Sequence, residues 1–208
     1  MSDAPRLRVG VLASGRGSNL RAILSGVEAR RVRAEVVVVL SDRSGAGALD
    51  IARDHGVEAL VLDPTLPPGR EGYDQALIAL LEERRVGLVC LAGYMRILRP
   101  VFVRHFEGRL LNIHPALLPA FPGLHAQRQA LEHGVRIAGA TVHFVDEGVD
   151  TGPIVLQAAV PVRQDDTEAS LSDRILAEEH RIYPEAIRLF AEGRLRLEDR
   201  HVRILEEP

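Results

Sequence analysis

Three residue types that move protons or stabilise a negative oxygen fall in one half of the chain. Asn112 and His114 stand two apart in Leu110-Leu111-Asn112-Ile113-His114-Pro115. If that run is a strand, they share a face and Ile113 points the other way, into the core. An amide donor beside an imidazole makes an oxyanion-stabilising and proton-handling pair. Further on, Asp146-Glu147-Gly148-Val149-Asp150-Thr151-Gly152-Pro153 supplies carboxylates, one of which, such as Asp150, could orient His114 and favour its cation. Residue types alone leave a second reading open, in which His114 is a structural histidine and Asn112 a turn former. A metal pair of His114 with His125 or His143 matches no common ligand spacing.

A second constellation lies near the start. The apolar run Leu7–Ala13 enters Ser14-Gly15-Arg16-Gly17-Ser18-Asn19-Leu20. Paired glycines let the backbone turn tightly and approach a ligand, Ser18 is a natural N-cap, and a helix N-terminus suits a phosphate. A dinucleotide fingerprint would need a third glycine where Leu20 stands, although Asp42 supplies an acidic residue after the second strand. A nicotinamide enzyme is therefore the weaker rival.

The elements that must position these groups alternate. Strands are expected over 7–13, 36–40, 57–62 and 86–91, with helices over 18–28, 46–55 and 70–84 between them. That alternation predicts a mostly parallel twisted sheet with helices on both faces, in an α/β, Rossmann-like N-terminal half. The second half reads as a short strand over 110–113, a proline-rich stretch over 114–123 and a helix over 127–133. Two extended runs follow, over 136–145 and 154–162, then a long helix over 167–192, kinked or broken near Pro184, and a terminal hairpin over 194–204. One domain spanning 1–208 is expected, with a mononucleotide-binding half to about 105 and a catalytic and cosubstrate-binding half from about 106.

Composition narrows the chemistry. The chain has 208 residues, 46% hydrophobic and 26% charged, with a formal net charge of -3. This composition describes a soluble globular protein rather than a nonspecific nucleic-acid or membrane binder. All 26 basic residues are arginine, which removes lysine Schiff bases and Walker-type loops. The single cysteine, Cys90, lies in an apolar run and reads as a buried small hydrophobe. No run is long enough to span a membrane, and the apolar stretch at the start is too short for a secretory signal. The cytoplasm is expected.

Five segments in order, Ser14–Leu20, Leu91–Leu98, Leu111–Pro119, Phe121–His125 and Val142–Pro153, with Glu179–Pro184 after them, closely resemble the folate-dependent phosphoribosylglycinamide formyltransferase family. The resemblance implies formyl transfer from the cosubstrate 10-formyltetrahydrofolate to the amine of glycinamide ribonucleotide, with no metal, nucleic acid or membrane partner, as a monomer or homodimer. It implies a catalytic triad of Asn112, His114 and Asp150. It puts the ribonucleotide on Gly15, Arg16, Gly17, Ser18, Asn19, Arg70 and Glu179. It puts the folate on Met95, Arg96, Ile97, Leu98, Asn112, His143, Val145, Asp146, Glu147 and Asp150, with Arg96 facing the glutamate end. Ala116 and Ala120 stand where relatives carry polar or basic residues and are expected on the loop surface. A related enzyme acting on an amino-sugar nucleotide is the alternative, and a nucleotide-binding domain without turnover is a second class.

Overall fold

The computed structural model describes residues 5–63 and 69–206, with the side chains of 69–71 left undescribed. Leu7–Leu12 (β1) leads into Ser18–Glu28 (α1), Ala34–Ser41 (β2), Gly47–Asp54 (α2), Glu58–Val61 (β3), Gly69–Glu83 (α3), Leu88–Leu91 (β4), Pro100–His105 (α4) and Leu110–His114 (β5). Ala126–Glu132 (α5), Ile137–Phe144 (β6), Ile154–Pro161 (β7), Glu168–Ala191 (α6) and the hairpin Leu195–Glu198 (β8) and His201–Ile204 (β9) complete the chain.

The strands of the main sheet run in the order β3-β2-β1-β4-β5-β6-β7. The first four pairings are parallel, whereas β5–β6 and β6–β7 are antiparallel. The mostly parallel α/β sheet expected from the alternation is thus the observed one. Strand order reverses between β1 and β4, and ligands in open α/β sheets collect outside the carboxyl ends of strands at that point.

Side-chain alternation sorts the two faces. Val9, Val11, Cys90, Leu111 and Ile113 face one cluster, which α1, α2 and α6 cover. Leu12, Val89, Leu91 and Leu110 face the other, covered by Tyr73, Leu77 and Leu81 of α3 and Phe102 of α4. Burial of this apolar surface, at about 25 cal/mol per Å² removed from water, is the main stabilising term. Cys90 lies in the first cluster and is fully buried, which pushes its thiol up to about 12 and keeps it unreactive.

Three local expectations change. Ser18 is not the N-cap of α1: Gly17 is, in the left-handed region at φ 82. A Cβ there would stand 2.7 Å from Ala48 Cα, so the glycine is needed for the approach of α2 as well as for the turn. Helix α4, Pro100–His105, has no counterpart in the periodicity reading, since six residues are too few to register a helical period. Helix α6 runs unbroken through Pro184. Its start is a capping box in which Thr167 Oγ1 accepts from Ser170 N at 3.1 Å and Ser170 Oγ accepts from Thr167 N at 3.0 Å. Packing of Pro184 near Gly26 of α1 helps hold the helix past a residue that removes one of its hydrogen bonds. Among the described residues, no helix is long and apolar enough to cross a membrane.

Candidate active site

Strand β5 puts Asn112 and His114 on the face opposite Leu111 and Ile113, and the strand persists through His114. The antiparallel partner β6 then sets their neighbours. Asn112 lies opposite His143, and His114 opposite Thr141, so each pair shares a face. Thr141 Oγ1 donates to Ala116 O at 2.6 Å and accepts from Leu118 N at 3.1 Å, which pins the proline-rich loop beside His114. Ala116 is therefore buried rather than on the loop surface, while Ala120 is exposed.

The Asp150 loop closes the set. Asp150 adopts φ 54, a conformation that costs free energy and must be held by its surroundings. Gly123 N donates to its Oδ2 at 2.7 Å. Thr151 Oγ1 and Gly148 N both donate to Asp146 Oδ1, at 2.6 and 3.1 Å. From the terminal hairpin, Arg200 Nη2 donates to Thr151 O at 3.0 Å; no sequence signal marked that contact, because the two residues lie far apart in the chain. Asp150 Oδ2 stands 3.4 Å from His114 Nδ1, and Asn112 Nδ2 donates to Asp150 Oδ1 at 3.4 Å. Amide, imidazole and carboxylate thus converge.

Hydrogen-bond chemistry fixes the tautomers. A carbonyl oxygen only accepts. His143 Nδ1, 2.8 Å from Phe144 O, therefore carries the proton and leaves Nε2 to accept from Asn112 Nδ2 at 3.1 Å. One amide hydrogen of Asn112 is committed to His143, and the longer contact to Asp150 leaves the other available to an incoming oxygen. Likewise His114 Nε2 donates to Phe121 O at 2.8 Å, so in the neutral ring its Nδ1 presents a lone pair to the Asp150 carboxylate. Any contact from His114 Nε2 to a substrate oxyanion has to displace the Phe121 carbonyl.

Burial pushes the His114 pKa below the ordinary 6.5, against the opposing pull of the Phe121 hydrogen bond and the Asp150 charge. Burial pushes Asp150 up, but the His143 side chain, the Gly123 N–H and the positive charge that His114 and His143 carry when protonated outweigh it and hold the carboxyl below its ordinary 3.8. The resting pair is a neutral imidazole beside a carboxylate. Taking up one proton at Nδ1 converts a lone-pair repulsion into an ion pair. A histidine with a lowered folded pKa binds fewer protons than in the unfolded chain. Its effect on stability is therefore nil above 6.5, turns unfavourable as pH falls through 6.5, and levels off below the folded pKa. An NMR titration of His114 is expected to show a midpoint below 6.5, lowered further in Asp150→Asn because the neighbouring negative charge is gone. A midpoint above 6.5 would contradict the assignment.

At the β1 end, Ser14, Gly15, Arg16, Arg43, Gly45, Ala46 and Gly47 line a cavity of about 490 Å³. Gly15 and Arg16 thus face open space, as a phosphate site requires, while Gly17 shapes the turn and Ser18 sits in the first turn of α1. Asn19 turns inward, and its Nδ2 donates to Glu179 Oε2 of α6 at 2.7 Å. Burial raises the Glu179 pKa against that hydrogen bond. The Arg70 side chain lies outside the described residues.

Ser14 joins the two ends: its Oγ accepts from Met95 N at 2.9 Å. Met95 and Ile97 are exposed, at 53% and 64%, with Leu98 packed against the second core cluster. Val145 N donates to Leu110 O at 3.0 Å, and Glu147 pairs with Arg104 at 2.5 Å. His143 is buried behind Asn112, with its Nε2 3.1 Å from that amide nitrogen. Among the described residues, no group of three or more His, Cys, Asp or Glu is arranged to hold a metal.

Residues 7–187 match the family described as Formyl transferase. The phosphoribosylglycinamide formyltransferase of Escherichia coli (strain K12) is 45% identical over 193 residues, 93% of this chain and 91% of that protein. The trifunctional purine biosynthetic protein adenosine-3 of Drosophila pseudoobscura pseudoobscura is 50% identical over 198 residues, 94% of this chain; the chain spans 14% of that relative's length. The crystal structure of glycinamide ribonucleotide transformylase 1 from Symbiobacterium toebii has a TM-score of 0.96 to this fold at 60% identity, covering 98% of this chain and 96% of that one.

Proposed function

The chain belongs to the formyl transferase family, and from that premise we propose that it transfers the formyl group of 10-formyltetrahydrofolate to the amine of N1-(5-phospho-D-ribosyl)glycinamide. The products are formylglycinamide ribonucleotide and tetrahydrofolate, in purine biosynthesis, and the proposed setting is the cytoplasm. The observation that carries the reading is the meeting of Asn112, His114 and Asp150 at the carboxyl end of β5, with Asp150 Oδ2 3.4 Å from the imidazole.

The steps follow from that geometry. The primary amine attacks the formyl carbon, and the carbonyl pair moves onto oxygen. The amide hydrogen of Asn112 that rests 3.4 Å from Asp150 turns to that oxygen and stabilises it; one such donor is worth about a hundredfold or more in rate. The new ammonium loses a proton, through water, to the His114–Asp150 pair. That proton goes to N10 of the leaving folate as the carbon–N10 bond breaks. The cosubstrate brings the formyl group already bound, and the ribonucleotide phosphate contributes remote binding energy for aligning the amine.

Two experiments test the reading. Purified protein and 10-formyltetrahydrofolate are mixed with glycinamide ribonucleotide, an amino-sugar nucleotide, charged initiator tRNA or water alone, and tetrahydrofolate release is followed. Release with the ribonucleotide is expected; release that needs only water, or that prefers the amino sugar, overturns the acceptor. Arg70, assigned to the phosphate, gives the second. In Arg70→Ala the KM for the ribonucleotide is expected to rise by about tenfold or more, as for the loss of a charge-assisted contact, with the folate KM little changed. An unchanged ribonucleotide KM removes Arg70 from the site.

A further inference from the structure

The segment 94–99 is held from behind by the second turn of α3. Tyr73 is 1% exposed, and its ring face lies under Arg96, with the guanidinium carbon 4.6 Å from the ring centroid. The Tyr73 hydroxyl shares a 2.8 Å hydrogen bond with the Tyr94 hydroxyl. The neighbouring Asp74 accepts from Arg99 N through Oδ2 at 3.2 Å. Three contacts thus tie the segment to one turn of α3.

Arg96 itself has no ion pair with a described acidic residue, unlike Arg84, Arg104, Arg174 and Arg188. On either side of it, Met95 and Ile97 present apolar surface to solvent. Apolar side chains flanking a guanidinium that has no ion pair with a described acidic residue match a ligand that is aromatic at one end and anionic at the other. An arginine on a flexible stem loses rotamer freedom when it grips a carboxylate. Stacking on an aromatic face removes that freedom beforehand, and guanidinium suits such stacking better than ammonium does.

We propose that Tyr73 is the positioning residue for Arg96, and through it sets the preference for a formyl donor with an anionic tail. The proposal rests on the reading of 95–98 as the folate wall, and deepens it. Tyr73 touches no substrate; it presents an arginine in one orientation. Its ring is the working part, and its hydroxyl serves to hold Tyr94.

The test compares two formyl donors, 10-formyltetrahydrofolate and a 10-formyltetrahydropteroyl N-methylamide, which ends in an uncharged amide in place of the glutamate, by the ratio of their kcat/KM values. Arg96→Ala is expected to cut that ratio by about tenfold or more, as for a lost charge-assisted contact. Tyr73→Leu is expected to cut the ratio several-fold, acting on the glutamate-bearing donor and leaving kcat/KM for the truncated donor and the KM for the ribonucleotide within about twofold. Tyr73→Phe keeps the ring and is expected to keep the ratio. If Tyr73→Leu is not recovered folded, Tyr73→Met, closer in shape to an unstrained core filler, carries the same expectation. A ratio unmoved by these Tyr73 variants but lost in Arg96→Ala overturns the positioning role and leaves the folate wall standing. A ratio unmoved in Arg96→Ala overturns the wall itself. A ratio lost equally in Tyr73→Phe assigns the effect to the hydroxyls and also overturns the proposal.

Discussion

Replacing His114 by alanine is expected to lower kcat by about 10²- to 10⁴-fold, the range for loss of a positioned acid–base group, while the protein stays folded. The imidazole is the one group that links the Asp150 carboxylate, 3.4 Å from Nδ1, to the loop carbonyl of Phe121, 2.8 Å from Nε2. Without it, the proton from the attacking amine has only Asp150 to go to, and that carboxyl sits below its ordinary 3.8, which makes it a poor base near neutrality. The loop keeps its other anchor, Thr141 on Ala116 and Leu118, so the fold should survive. Steady-state kcat with both substrates saturating, alongside a thermal melt, decides the matter. A kcat within a few-fold of the parent protein would remove His114 from proton handling.

Gly152→Ala is expected to damage the site without touching any reacting group. A Cβ at Gly152 would lie 1.8 Å from Phe144 O and 2.8 Å from Phe144 C. These are backbone atoms of β6, held by Phe144 N donating to Pro153 O at 2.9 Å, and they cannot step aside cheaply. The same Phe144 oxygen fixes the proton on His143 Nδ1, and His143 in turn orients Asn112. One methyl group therefore strikes the Asp150 loop and the amide at once. The expected cost is about 1–3 kcal/mol of stability, as for overpacking, with kcat lowered by at least about tenfold as the groups move off their alignment. Gly45→Ala, with nothing within 4 Å of its Cβ, serves as the stability control. Urea midpoints for the two variants, with kcat for Gly152→Ala, give the answer. An alanine at 152 that leaves both unchanged would show that the loop has slack the contacts do not suggest.

Each element was legible in the sequence in proportion to how far its signal was local. Val36–Leu40 is a β-branched run and the core of an eight-residue strand, Ala34–Ser41, because β-branched side chains pack well on a pleated surface. The helix expected over 18–28 is the observed Ser18–Glu28. Asn112 and His114 shared a face because strand periodicity is two, a property of the backbone. The cap of α1 was misassigned because Ser18 has the usual capping chemistry, whereas the close approach of Ala48 requires Gly17, and that approach is tertiary.

The sequence by itself determined the alternation of strands and helices apart from α4, and the family resemblance with the triad that it implies, since each rests on residue type and spacing along one chain. Only the tertiary structure decided that Asp150 reaches His114 and that His143 turns Asn112. The same holds for Asn19 meeting Glu179 across α1 and α6, and for Tyr73 lying beneath Arg96. Those contacts join residues from different elements, and their distances follow from sheet order, cross-strand register and helix packing. No local preference encodes them, because each depends on where the whole sheet places its neighbours.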